Sequence, residues 1–406
     1  MTLVVQKYGG TSVADPERIQ AVAARVKRGV EAGQRVCVVV SAMAGTTNQL
    51  VGYVNALDPA GFDPAEYDQI VASGEQVTIG LLAIALQTIG VKARSFLGWQ
   101  AGFRTDAAHG KASILHVDPA PVMAALDAGK VAVVAGFQGL APDGRVTTLG
   151  RGGSDTSAVA LAAALKAARC DIFTDVDGVY TTDPRITAKA RKIERIAYEE
   201  MLEMASLGAK VLQTRSVAIA MQHHVPVQVL SSFEDRPGTL VVDEDEIVET
   251  QIVTGIAYSR DEARITVQQV NDRPGVAASI FGPLAENSIN VDMIVQSVSR
   301  DGRSANLTFT VSRAELARAL AVLERHKERI GFTSVVGDSD VAKVSVIGVG
   351  MRSHAGVAHQ MFRTLSDRGI NIQAIATSEI KVSVLIEEAY TELAIRALHT
   401  AYGLDG

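Results

Sequence analysis

Through residue 230, short β-branched runs alternate with Ala-rich stretches of helical spacing. Leu3 to Gln6, Val36 to Ser41, Val131 to Phe137, Asp171 to Thr174 and Val225 to Leu230 read as strands, and Ile19 to Ala32, Glu75 to Ile89 and Ser154 to Ala168 as helices. This βαβ alternation predicts a largely parallel, helix-covered sheet. Ligands of such sheets sit beyond the C-terminal ends of the strands, so the residues after each apolar run carry the chemical information. Here those exits are Lys7 to Ser12, Ser41 to Asn48, Gly136 to Gly139 and Thr174 to Tyr180, all rich in Gly, Ser, Thr and Asp.

Asp235-Arg236-Pro237-Gly238 and Asp243 to Glu246 read as a solvated linker, after which the pattern changes. The segment from Asp272 through Phe281 to Asn290-Val291 recurs from Ser353 through Phe362 to Asn371-Ile372. Each copy reads as strand, Gly turn, amphipathic helix, Ile-Asn exit and strand, a small βαββαβ module present twice, as in a paired regulatory unit.

Composition narrows the class. At 406 residues two or three domains are expected, and 47% hydrophobic with 21% charged residues is globular α/β usage. A net charge of -6 without a Lys/Arg block excludes nucleic acid as an expected partner. The apolar helices look shorter than the roughly 20 residues of a membrane span, and Met1-Thr2-Leu3 has no basic segment before its strand, so no membrane association is expected. Cys37 and Cys170 make neither a disulfide framework nor a metal site, and read as reduced core residues of a cytoplasmic protein.

Lys7-Tyr8-Gly9-Gly10-Thr11-Ser12 delivers one lysine and a glycine turn at a strand end, followed by a helix start near Asp15-Pro16-Glu17. Backbone N–H groups, a helix N-terminus and a lysine charge at one point suit a phosphate, although the hexapeptide alone is also ordinary turn and cap chemistry. Thr147 to Thr156, with Gly150-Arg151-Gly152-Gly153-Ser154-Asp155, is a second glycine turn opening a helix, and would hold a carboxylate with Arg151. Two anion sites on one sheet favour phosphoryl transfer. Thr174 to Arg185 offers hydroxyls, the carboxylates Asp175 and Asp183, and the aromatic face of Tyr180 to a nucleoside, while Asp-Gly and Asp-Pro are also plain turn chemistry. Glu75 either stabilises the first turn of its helix or recognises a substrate ammonium group. Ile347-Gly348-Val349-Gly350 lacks the third glycine of a dinucleotide fingerprint and reads as a loop of the repeat. His223-His224 reads as helix surface.

Together, Lys7 to Ser12, Gly150 to Asp155, Thr174 to Arg185 and the tandem repeat resemble the aspartate kinases of the amino acid kinase superfamily, over essentially the whole chain. The resemblance implies a three-layer αβα sandwich with a mainly parallel sheet over 1–245 and two ferredoxin-like βαββαβ ACT domains over 250–340 and 341–406. It implies ATP-dependent phosphorylation of the side-chain carboxylate of L-aspartate, the first step towards lysine, threonine and methionine, with feedback by lysine and/or threonine through the ACT domains.

By the same resemblance Lys7, Gly10 and Asp155 are catalytic. ATP with Mg2+ would meet Lys7, Tyr8, Gly9, Gly10, Ser41, Thr174, Asp175, Tyr180, Asp183, Arg185 and Lys210. No protein-bound metal site is implied. Aspartate would meet Gly45, Thr46, Thr47, Glu75, Leu126 and Asp127, and the turn Arg151, Gly152, Gly153 and Ser154. The effector would meet Asp272, Gly275, Val276, Ala277, Asn290, Asp292 and Gln296 of the first copy and Val357, Asn371 and Thr377 of the second. A homo-oligomer, or pairing with a separate regulatory subunit, follows from paired ACT modules.

Overall fold

Val36 to Val40 and Val131 to Ala135 are buried without a break because they belong to interior strands of an eight-stranded sheet covered on both faces. Its order is Arg195–Ala197, Thr239–Val242, Val227–Ser231, Arg169–Thr174, Leu3–Tyr8, Arg35–Val40, Val131–Ala135, Ala93–Phe96, parallel throughout except where Val227–Ser231 meets Thr239–Val242. The computed structural model describes residues 1–59, 61–208, 211–247, 251–299 and 303–406. Two units emerge: Met1–Val179, Lys192–Ala205 and Lys210–Val248 in the first, and Tyr180–Arg191, Ser206–Ala209 and Glu249–Gly406 in the second.

In the first unit, helices Pro16–Glu31 and Ser73–Thr88 pack on one sheet face, and Gly153–Ala164 with Thr214–His223 on the other. The first of these starts where the sequence suggests: Pro16 occupies the first turn and the Asp15 side chain accepts from Arg18 N at 2.8 Å. Gly153–Ala164 is almost wholly buried, which suits its small Ala, Ser and Thr side chains to a helix pressed against the sheet. A four-stranded sheet of Ile114–Val117, Phe103–Thr105, Gln138–Leu140 and Val146–Thr148 was not expected from the apolar pattern. Its strands are too short to register as periodicity. Asp235 to Gly238, expected as a linker, is instead a turn inside this unit: Thr239–Val242 returns antiparallel to Val227–Ser231. Pro64–Val71 and Ser73–Thr88 run on as 25 largely apolar residues, long enough for a membrane span, but half of the apolar window is buried within the chain.

The second unit holds the repeat in one antiparallel sheet, ordered Asp292–Val298, Ser304–Val311, Gly255–Asn271, Ser334–Ile347, Lys381–Glu387, Ala374–Thr377. The expected sequential division at 340/341 needs correction. Gly255–Asn271 serves both copies: its first part pairs Gly255 to Ser259 with Ile347 to Lys343, and its later part pairs with Ser304–Val311. The first copy is therefore inserted within the second, whose fourth strand precedes it in the chain. Register shifts between Ser259 and Arg264 mark the changeover.

Tyr180–Arg191 also departs from the expected first domain. Its bonds run to the second unit's own elements: Ile256 N donates to Thr181 O at 2.7 Å, Arg191 Nε to Leu404 O at 3.0 Å, and Lys189 Nζ lies 2.7 Å from Asp405. Buried His399 joins the two ends of this arrangement, with Nε2 2.9 Å from Thr181 Oγ1 and Nδ1 2.8 Å from Asp405 Oδ1.

Candidate active site

Lys7 lies between Val39 and Ile172 of the neighbouring strands, at the C-terminal end of the central strand. Alternation along that strand sends its side chain toward helix Gly153–Ala164, where Nζ sits 2.5 Å from Asp155 Oδ1, both residues being buried. The same alternation sends Tyr8 to the other face. Tyr8 is fully buried, stacked on Phe173 with ring centroids 4.6 Å apart, and its hydroxyl donates to Gln6. Its side chain belongs to the core and not to the face that carries Lys7.

Gly10 follows at the turn. A Cβ there would fall 2.9 Å from the Ala42 carbonyl oxygen, so only glycine permits this approach of the first two strand exits. Beyond Ala42, Gly45 precedes helix Thr46–Leu57, and Arg151 sits exposed on the turn ahead of helix Gly153–Ala164. Gly152, at φ +73°, packs so closely under Gln213 that any side chain would overlap it. Neither helix has a side-chain cap, so first-turn N–H groups without intrahelical partners face outward from both.

These elements border one cavity of about 430 Å3, lined by Lys7, Gly10, Ser41, Gly45 and Thr47 on one side and by Arg151 to Asp155 on another, with Glu75 and Thr174. Glu75 belongs to the first turn of helix Ser73–Thr88, which is drawn in because Gly74 approaches Ala42 closely. Its Oε1 accepts from Ala42 N at 3.0 Å, whereas the buried Oε2 has no partner. Burial pushes the Glu75 carboxyl up to about 7, against the pull of the Ala42 N–H. Arg151 forms no ion pair among the described residues. A buried carboxylate with an orphaned oxygen and an unpaired guanidinium thus face a space floored by a lysine and two helix N-termini. That donor set fits a zwitterionic amino acid beside a polyphosphate.

The remaining expected residues divide. Gly9 precedes the turn, and Thr46 opens its helix. The Thr174 hydroxyl donates to Asp175 at 3.1 Å. Tyr180, Asp183 and Arg185 lie in the segment that belongs to the second unit, where Asp183 accepts from Arg185 N at 2.9 Å and from the Tyr258 hydroxyl at 3.2 Å. Its bonds from Arg185 hold the Asp183 carboxyl below the usual carboxylate range. Lys210 lies outside the described residues. Leu126 and Asp127 do not join the cavity. Leu126 is core, and Asp127 sits 2.5 Å from Arg35 at the start of strand Arg35–Val40, roughly 20 Å of strand away from Ser41. Asn48, Phe137 and Gln213 line the cavity and were not anticipated as contacts; Asn48 and Phe137 at least fall within strand exits.

In the repeat, Gly275 and Gly356 are equivalent left-handed caps at φ +89° and +105°, ahead of Val276–Glu286 and Val357–Asp367. Val276 and Val357 are buried, so only their backbone is available to an effector, while Ala277, Asn290, Asn371 and Thr377 are exposed. The Asp272 carboxylate accepts from Gln296 at 3.4 Å. Asp292 is committed internally: buried Lys343 Nζ lies 2.8 Å from it and 2.7 Å from Glu262.

Comparison with known proteins agrees with both units. Residues 2–231 match the Amino acid kinase family, and residues 263–331 and 344–402 each match an ACT domain. The chain is 56% identical to the aspartokinase of Pseudomonas aeruginosa, over all of this chain and 98% of that one, and 49% identical to the aspartokinase of Mycolicibacterium smegmatis, over all of this chain and 97% of that one. It superposes on the crystal structure of E. coli aspartokinase III in complex with aspartate and ADP with a TM-score of 0.81 at 29% identity, covering 98% of this chain and 99% of that one. With its sheet of helix-covered parallel strands, its lysine-floored cavity and its paired ACT domains, the chain belongs to the aspartate kinases of the amino acid kinase family.

Proposed function

We propose that this chain transfers the terminal phosphoryl group of ATP to the side-chain carboxylate of L-aspartate, giving 4-phospho-L-aspartate and ADP. The observation that carries the substrate choice is the orphaned, buried Oε2 of Glu75 in the cavity that Arg151 also borders. Glu75 would accept from the substrate ammonium, and Arg151 would hold the α-carboxylate in a bidentate pair.

The acceptor carboxylate has a reference pKa of about 3.9 and needs no general base at neutral pH. One of its oxygens attacks the γ-phosphorus while the bond from that phosphorus to the bridging oxygen breaks, leaving both electrons on ADP. The obstacle is repulsion between two anions. Lys7, with first-turn N–H groups of the helices after Gly45 and Gly152, offsets it most as negative charge spreads in the transition state. Asp155 keeps the Lys7 ammonium aimed along the sheet edge. A Mg2+ carried on the nucleotide phosphates would have Asp155 as the nearby carboxylate.

The test is ATP consumption with hydroxylamine trapping of the acyl phosphate, offering aspartate, glutamate and N-acetylglutamate in turn. Aspartate is expected to give the hydroxamate. N-acetylglutamate, which has no ammonium for Glu75, should fail; its turnover in preference to aspartate would overturn the assignment.

The regulatory reading is feedback by lysine and/or threonine, end products of the pathway this reaction opens, bound at the ACT domains. Its support is the likeness to E. coli aspartokinase III in complex with lysine and aspartate, at a TM-score of 0.77 and 30% identity over 98% of this chain and 99% of that one. An effector inhibits only by binding the inactive state better. Deleting residues beyond about 250 should abolish end-product inhibition. The paired modules support self-association, and the reaction suits a cytoplasmic protein.

A further inference from the structure

Asp68, on helix Pro64–Val71, is fully buried, yet it is not among the residues lining the cavity described above and, among the described residues, pairs with no lysine or arginine. Its carboxylate is instead saturated by four donors from two other segments. His109 Nδ1 lies 2.9 Å from Oδ2, Gly110 N donates at 3.0 Å, Thr148 N donates at 3.0 Å, and the Thr148 hydroxyl donates to Oδ1 at 2.5 Å. A buried carboxylate with all its lone pairs used fixes those donors relative to one another.

What it fixes is the root of the Arg151 turn. Thr148 ends strand Val146–Thr148, and the chain passes directly through Leu149 and Gly150 to Arg151. The loop at Gly110 forms the bed of that turn: the Gly110 carbonyl oxygen lies 3.0 Å from where a Gly150 Cβ would stand, and Ala112 N donates to Thr148 O at 2.9 Å. A second buttress comes from helix Thr214–His223. Arg215 donates to Leu149 O at 3.0 Å and to Ala112 O at 2.7 Å, tying the same two segments together from the far side. Arg151 itself is exposed and unpaired among the described residues, so its direction is set by the backbone beneath it.

We propose that Asp68 is a positioning residue for aspartate recognition, acting through Thr148 and Gly110 on the Arg151 turn without touching substrate. This rests on the reading of Arg151 as the holder of the α-carboxylate. A guanidinium gains its bidentate geometry only when correctly aimed, and a displacement of about 1 Å is worth up to about 100-fold.

The experiment is a double-mutant cycle in the full-length enzyme, with KM for aspartate and for ATP read separately. Asp68→Asn keeps the shape but, in either orientation of the amide, brings its NH2 against Gly110 N–H, which bonds both carboxylate oxygens in the parent. It should raise KM for aspartate about 10- to 100-fold and leave KM for ATP within about twofold. In the Arg151→Ala background the same change should have no further effect on KM for aspartate. Thr148→Val, which removes one donor only, should follow the same pattern more weakly and serves if Asp68→Asn does not fold. Additive effects of Asp68 and Arg151, or equal rises in both KM values, would overturn the proposal while leaving the Arg151 assignment intact. An Arg151→Ala enzyme with unchanged KM for aspartate would overturn the Arg151 assignment and this inference with it.

Discussion

Glu75→Gln should make the ligand-free enzyme more stable and the working enzyme worse. The carboxyl is raised from 4.5 to about 7 by burial, so the folded state holds its proton more tightly than the unfolded chain does. Its contribution to stability is therefore greatest below pH 4.5, declines as pH rises toward 7, and is lost above that. At about 1.4 kcal/mol per pKa unit, the loss by pH 8 is about 3 kcal/mol. Glutamine is the isostere of the protonated form, and it keeps an oxygen to accept from Ala42 N. Thermal unfolding without aspartate should thus show little difference at pH 5. At pH 8 the variant should melt higher by roughly 6 to 12 °C for a domain of this size. Saturating aspartate should reverse the order, because only the carboxylate gains a charge-assisted bond from the ammonium. The loss of that bond should raise KM for aspartate about 10- to 150-fold. In the parent enzyme kcat/KM for aspartate should fall as pH drops below 7, and that limb should disappear in the variant. A Glu75→Gln enzyme that melts lower than its parent at pH 8 without ligand, or that keeps its KM for aspartate, would refute the reasoning.

Other outcomes follow from the same geometry. Arg151→Lys should raise KM for aspartate with little change in kcat, since a point charge replaces a bidentate fork; steady-state kinetics with ATP saturating reads this directly. His399→Ala removes a fully buried ring and takes one partner each from the Thr181 hydroxyl and Asp405. It should cost about 2 to 4 kcal/mol by denaturant unfolding. Removing residues beyond about 250 should leave no response to lysine or threonine; a stable truncated enzyme that is still inhibited would place the effector elsewhere.

Much of the first unit was legible because its signals are local. The apolar runs place the central strands, and the strand-exit rule picks out Lys7, Gly10, Thr47 and Thr174, while a glycine turn marks Arg151 to Asp155. Glu75 shows the limit of such reading. In the sequence it is an ordinary first-turn carboxylate, and only its burial with an unsatisfied oxygen separates a ligand site from a helix-end charge. The motif also hides the alternation of a strand, which sends the Tyr8 side chain to the face opposite Lys7. The repeat was visible, but the inserted arrangement of its two copies depends on which strand pairs with Gly255–Ser259, a long-range choice that no local pattern encodes. Asp68 was invisible for the same reason: its four donors come from residues some 40 and 80 positions away along the chain.

The most direct test of the phosphoryl-transfer account is Lys7→Ala, with kcat measured by acyl-phosphate trapping and aspartate affinity measured by calorimetry on the same protein. Lys7 floors the cavity beside Asp155, whereas the amino acid is assigned to the Glu75 carboxylate and the Arg151 guanidinium. The account predicts that kcat falls at least about 100-fold while aspartate still binds within a few-fold of the parent. A variant that loses aspartate binding but keeps its kcat would contradict it.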